Sequence, residues 1–120
     1  MIVLVTGGRE FRDRHSLNAA LSSLDPRPSL IVHGGARGAD SLAHEWAQDH
    51  SVPVKVFHAD WKRYGRMAGH VRNRQMLNTA KPDLVVAFPG GRGTAGMVKL
   101  AEQAGVRVLR GGLGGQLPTG

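Results

Sequence analysis

Five short apolar runs recur along the chain at intervals that leave room for a helix between them: Ile2–Val5, Leu30–Val32, Val52–Phe57, Leu84–Phe88 and Val106–Leu109. They are rich in β-branched residues and show little polar alternation, the pattern of parallel strands covered on both faces. Between them the apolar spacing becomes helical. Leu17, Ala20, Leu21 and Leu24 fall at i, i+3, i+4 and i+7, and Leu42, Ala43, Trp46 and Ala47 mark a second stripe. Met67, Val71, Leu77 and Ala80 suggest a third helix, and Val98, Ala101 and Ala104 a fourth. Asp25-Pro26 is expected to end the first helix, and Gly105 to follow the last in the left-handed conformation preferred there.

Strict alternation of strand and helix implies right-handed crossovers. The expected fold class is therefore a single α/β domain with a doubly wound, parallel, five-stranded sheet in the order 3-2-1-4-5. The domain is expected over residues 1–110, with the glycine-rich segment 111–120 as a flexible C-terminal tail.

In that order strands 2, 1 and 4 are neighbours, and the loop after each is rich in glycine. The three loops are Thr6-Gly7-Gly8-Arg9, Gly34-Gly35-Ala36-Arg37-Gly38 and Pro89-Gly90-Gly91-Arg92-Gly93-Thr94. One such loop is explained equally well by a tight turn or a phosphate cradle. Three side by side on the carboxyl edge of a sheet, each leading into a helix, predict main-chain amides converging on one anion.

Length and charge narrow the picture. The 120 residues suffice for one core burying roughly two-thirds of the unfolded surface. A formal charge of +7 favours anionic partners: nucleotides, nucleic acid or other polyanions. From Trp61 to Pro82 there are six basic residues, Lys62, Arg63, Arg66, Arg72, Arg74 and Lys81, and no acidic one; a nucleic-acid contact and a solvated helix face both fit. The absence of cysteine excludes a disulfide framework and a thiolate metal site, and the six histidines have no metal-binding spacing. The opening apolar run is too short for a signal sequence, and no stretch approaches the ~18 apolar residues of a membrane span, so the cytoplasm is the expected compartment and no membrane partner is expected.

Several side chains can carry chemistry. Arg9 and Arg37 can fork onto phosphate oxygens or brace their own loops. Asp40 opens the second helix, where it can cap or brace as readily as meet a ligand. Thr94 can cap the fourth helix or offer its hydroxyl to a phosphate. Trp61 lies in a basic connection, Ala59–Gly65, that can fold over the site and stack on a base or simply plug a core. Arg72 and Asn73 follow on the third helix, within reach of the loop edge. Asp40 and Arg72 are also the candidates for any catalytic role.

Five ordered motifs span residues 1–110: Thr6-Gly-Gly-Arg-x-Phe11, His33-Gly-Gly-Ala-Arg-Gly-Ala-Asp40, Ala59-Asp60-Trp61, Ala68-Gly69-x-x-Arg72-Asn73 and Phe88-Pro89-Gly-Gly-Arg-Gly-Thr94. Together they resemble the YspA-type, cpYpsA-related branch of the SLOG superfamily. The resemblance implies a Rossmann-like fold that senses or processes a nucleotide or nucleotide-derived ligand, such as AMP, ADP-ribose or an NAD-related molecule, with no obligatory cofactor. The last loop is also similar to that of the LOG phosphoribohydrolases, which cleave the N-glycosidic bond of nucleoside monophosphates and usually form dimers. This implies a homodimer or higher homo-oligomer. The assisting glutamate of those enzymes corresponds to Met97 here, and a thioether neither stabilises an oxocarbenium-like charge nor activates water. Asp40 and Asp60 are the carboxylates left to substitute. The second loop, with Ala43-His44 and Arg72-Asn-Arg74, is similar to the DNA-processing protein A (Smf) family, which implies single-stranded DNA binding as a further alternative. The length leaves room for the core sheet alone and not for that family's additional domains.

Overall fold

The computed structural model describes residues 1–111, so the expected tail lies outside the described residues except for Gly111. Its sheet has the order β3-β2-β1-β4-β5 and is parallel throughout. The strands are β1 (Ile2–Thr6), β2 (Leu30–His33), β3 (Val54–Val56), β4 (Leu84–Ala87) and β5 (Arg107–Arg110). The helices are α1 (Arg14–Ser22), α2 (Ala39–Asp49), α3 (Trp61–Tyr64), α4 (Ala68–Gln75) and α5 (Arg92–Gln103), of which α3 is a single turn. The expected Rossmann-like α/β topology is therefore present. No helix among the described residues is long and apolar enough to cross a membrane.

Strand period divides the core between two faces. Val3 and Val5 of β1 point to one side with Ile31, Leu84 and Val86, where Leu17 and Leu21 of α1 and Leu42, Ala43, Trp46 and Ala47 of α2 cover them. Leu4 points to the other side with Val32 and Val85, beneath Met76, Met97 and Ala101. Val3, Leu4, Val5, Val32, Val85 and Val86 are fully buried, which is why these runs lack polar alternation.

Local chemistry fixes the helix ends. The Asp13 carboxylate accepts the Ser16 amide at 3.0 Å and opens α1. That helix closes at Ser22, ahead of Asp25-Pro26, and Leu24 still packs on the core from outside it. Gly105 follows α5 with φ +75, as its place after the last apolar stripe predicts.

The third helical segment departs from the expected simple helix. Helical structure begins at Trp61 in the single turn α3, tightens to a 3-10 turn over Gly65–Met67, continues as α4 and ends in a π turn over Met76–Ala80. The Trp61–Gly65 part of the expected basic connection is thus helical. Asp60 starts it, accepting the Arg63 amide at 3.1 Å.

Candidate functional site

The glycine loops after β1, β2 and β4 do lie together, and backbone contact holds them. The Gly8 amide donates to the Pro89 carbonyl at 2.9 Å, while the Gly8 carbonyl accepts from the Phe11 and Ala39 amides, each at 3.2 Å. A side chain at Gly7 would place its Cβ 2.5 Å from that of Ala39. Such approaches leave room for hydrogen alone, so much of the glycine content here is steric.

Above the loops opens a cleft of about 660 Å³. It is lined by Thr6, Gly7, Gly8 and Arg9 from the first loop and Gly34, Gly35, Ala36 and Asp40 from the second. Trp61, Gly69, Arg72 and Asn73 line it from the α3–α4 segment, and Gly91, Gly93 and Thr94 from the start of α5. Five of the expected site residues are not among the lining: Arg37, Gly38, Pro89, Gly90 and Arg92. Arg37 instead pairs with Glu10 at 2.7 Å on the surface, a loop-bracing role. Gly38 is wedged against the Gly8 and Arg9 carbonyls, and Pro89 and Gly90 pack against Gly8 of the first loop.

The expected convergence of amides from all three loops is corrected at the first, where the Gly8 amide is taken by Pro89, and more fully at the second. Asp40 Oδ2 accepts the Gly34 amide at 3.0 Å and the Ala36 amide at 3.2 Å, and His33 Nδ1 accepts the Gly35 amide at 3.0 Å. The chain supplies its own acceptors there, so this loop forms a closed floor. Asp40 braces that floor and does not cap α2, whose N-cap is Gly38. At α5 the opposite holds. Its N-cap is Gly91, no side chain caps it, and its first turn contains no acidic residue. The first amides of a helix have no intrahelical acceptor, and they carry its positive dipole end. Thr94 lies three residues in and makes no cap. Among the described residues, a Cβ added at Gly91 or Gly93 would meet nothing within 4 Å, so packing there does not require glycine at either place.

Arg72 bridges the floor and this open helix end. Its Nη1 donates to the Gly34 carbonyl at 2.6 Å and its Nε to Asn73 Oδ1 at 3.0 Å, while Asn73 Nδ2 donates to the Gly93 carbonyl at 3.3 Å. Burial lowers the Arg72 pKa, Asp40 opposes that shift, and Arg9 adds to it. Two arginines therefore share the cleft with one carboxylate, already engaged by loop amides. Among the described residues, Asp40 is the only acidic one lining the cleft. Met97 is fully buried in the core beside Met76 and Ala101, and Asp60 caps α3 outside the lining. Of the two substitute carboxylates, only Asp40 reaches the cleft.

The sequence reading missed His58, whose ring lies so close to Gly35 that a Cβ there would sit 2.6 Å from its Cε1. Its position two residues beyond β3, on the same carboxyl edge as the loops, was the available signal. In the sequence His33 stands out only as the first residue of the second glycine-loop motif. Because its Nδ1 accepts a backbone proton, its own proton must sit on Nε2, which faces His44 Nδ1 at 2.8 Å. His33 therefore donates and His44 Nδ1 accepts.

Two buried groups set opposing pH dependences. Burial, with His44, His58 and Arg72 adding to it, pushes His33 down to about 4. Its unfolded form takes up a proton first, so His33 lowers stability as pH falls from about 6.5 through about 4. Burial raises Asp40 to about 6, against the Ala36 amide, Arg72 and the Gly34 amide. Its folded form takes up a proton first, so Asp40 raises stability as pH falls from about 6 through about 3.8. The two contributions oppose each other in wild type. Asp40→Asn should therefore melt progressively lower, relative to wild type, as pH falls from 6.5 to 4. Urea titrations at a series of pH values check this, and parallel curves for the two proteins contradict it.

A family model described as YspA, cpYpsA-related SLOG family matches residues 1–64. The chain is also similar to "Gene 61 protein" of Mycobacterium phage D29, with 38% identity over 117 residues covering 89% of this chain and 93% of that protein.

Proposed function

The chain belongs to the YspA, cpYpsA-related SLOG family, a membership that suggests nucleotide-related binding or processing, and we propose that it binds a phosphate-bearing, nucleotide-derived ligand in the cleft over α5. The observation that carries this reading is the uncapped start of α5. Two glycines that no described residue's packing requires stand beside free amides, and Arg72 and Arg9 line the same cleft. Phosphate oxygens accept from the amides and fork onto a guanidinium. Trp61 at the rim offers a ring face to the base or ribose. ADP-ribose, AMP and NAD-related molecules combine these groups, and the cleft volume accommodates them. Micromolar affinity, about 8 kcal/mol, is within reach of a few such contacts.

Binding is favoured over N-glycosidic hydrolysis. The LOG position falls in the core at Met97, and Asp40 Oδ2 is already held by two amides. Among the described residues, the one cleft-lining carboxylate is held by the loop it braces.

Thermal-shift titration with ADP-ribose, AMP and NAD tests the reading. A ligand at a hundred times its Kd adds about 2.7 kcal/mol, or roughly 10 °C in a domain of this size. Gly91→Asp should abolish that shift, because its carboxylate occupies the helix amides from within and repels an incoming phosphate. The free variant should melt within about 2 °C of wild type, since glycine and aspartate caps differ by only a few tenths of a kcal/mol. A Gly91→Asp protein stabilised as strongly as wild type by the same ligand would reject the site.

A further inference from the structure

Beside the cleft runs a strip of cations and exposed apolar groups that phosphate recognition does not use. Lys62, Arg63, Arg66 and Arg74 are all exposed. The ion pairs among the described residues are Arg14–Glu45 and Arg37–Glu10, so none of these four has an acidic partner. The same strip holds the two large hydrophobic side chains most open to water, Trp61 at 54% exposure and Met67 at 56%. Arg63 lies 5.2 Å from the Tyr64 ring centre, and Arg74 Nε donates to His70 Nε2 at 3.2 Å. Trp61 belongs to both regions, because it also lines the cleft. The strip thus begins at the cleft's rim.

Resting on the nucleotide reading of the cleft, we propose that the exposed face of residues 61–74 docks single-stranded nucleic acid. One nucleotide of the strand enters the cleft, a base stacks on Trp61, and Lys62, Arg63, Arg66 and Arg74 follow the phosphates. Three observations select this occupant. The net charge of +7 and the acid-free stretch match a polyanion. A half-exposed indole beside arginines is a stacking platform for unpaired bases, whose faces a duplex conceals. Continuity with a phosphate cleft suits a chain of linked phosphates. An anionic lipid surface would satisfy the cations, but the strip's apolar members are too few and too interspersed with charge to form an inserting face.

Fluorescence anisotropy of a labelled oligothymidylate, read across a salt series, is the test. Wild type should bind with a log–log salt slope of about −0.7 for each phosphate neutralised. The double variant Arg66→Gln/Arg74→Gln should flatten that slope by about 1.4 and weaken binding at low salt at least tenfold. It should leave ADP-ribose affinity unchanged, since neither residue lines the cleft. Trp61→Ala should weaken the oligonucleotide at least fivefold. ADP-ribose should compete with the strand. Loss of the inference is read from ADP-ribose binding without oligonucleotide binding, from a slope untouched by the double variant, from absence of competition, or from equal affinity for phosphatidylglycerol vesicles. If ADP-ribose, AMP and the oligonucleotide all fail to bind, the cleft reading itself falls.

Discussion

Gly38→Ala is expected to lower stability by about 3 kcal/mol, a fall of roughly 12 °C in melting temperature for a domain of this size. Gly38 has φ +81, and a Cβ there would sit 2.7 Å from the Arg9 carbonyl carbon and oxygen and closer still to the Gly8 carbonyl. Backbone strain in the left-handed region accounts for about 1–2 kcal/mol. The remainder arises because the obstructing atoms are main chain and cannot rotate away. Gly8 is simultaneously hydrogen-bonded to Pro89, Phe11 and Ala39, so moving it disturbs all three loops. Gly91→Ala is the matched comparison: φ is −97 and the space is open, so the cost is that of a poorer N-cap and should stay within about 1 kcal/mol. Thermal or urea melts of the pair decide the point. Equal stability would mean that the loops do not interlock as described.

Arg72→Met should remove anion binding almost entirely, weakening ADP-ribose at least a hundredfold, about 3 kcal/mol. The thioether retains most of the side-chain volume, so the loss reports charge and hydrogen bonding. Without the guanidinium, the Gly34 carbonyl loses its donor and Asp40 loses the countercharge that Arg72 supplies. Arg72→Lys should not restore binding. A single ammonium cannot hold the Gly34 carbonyl and Asn73 Oδ1 in the geometry of a planar fork while also meeting a phosphate. Adding Asp40→Asn to Arg72→Met should recover part of the affinity, because it deletes the repulsive charge. Calorimetry with ADP-ribose reads all four proteins. Affinity in Arg72→Met within threefold of wild type would remove Arg72 from the site.

The architecture was legible because two-sided burial leaves a strong trace. Runs such as Leu84–Phe88 contain no polar position, and once five of them alternate with helical spacing, handedness leaves few topologies. The α3–α4 segment was harder. The stripe from Met67 to Ala80 reads as one helix, whereas the 3-10 and π turns change the residues per turn and rotate successive side chains in ways a fixed period does not capture. Within the site, residue type identified the loops but not the direction of their hydrogen bonds. Asp40 at a helix start fits a cap, a brace or a ligand contact, and only the fold reveals Oδ2 turned back on Gly34 and Ala36. Arg37 and Arg9 occupy similar motif positions, yet Glu10 draws Arg37 outward. That choice depends on which exposed carboxylate lies near, a fact of three dimensions.

The interlocked bends also bear on how such a protein can diversify. Gly8, Gly38, Ala39 and Pro89 touch through main-chain atoms, so the foundation beneath the ligand is one mechanical part, and altering any bend alone strains its neighbours. His58 and the helical ramp from Trp61 onward meet the loops through side chains instead. Divergent descendants of this fold would therefore be expected to keep the foundation while rewriting the rim, acquiring new ligands by changing the parapet and leaving the masonry in place.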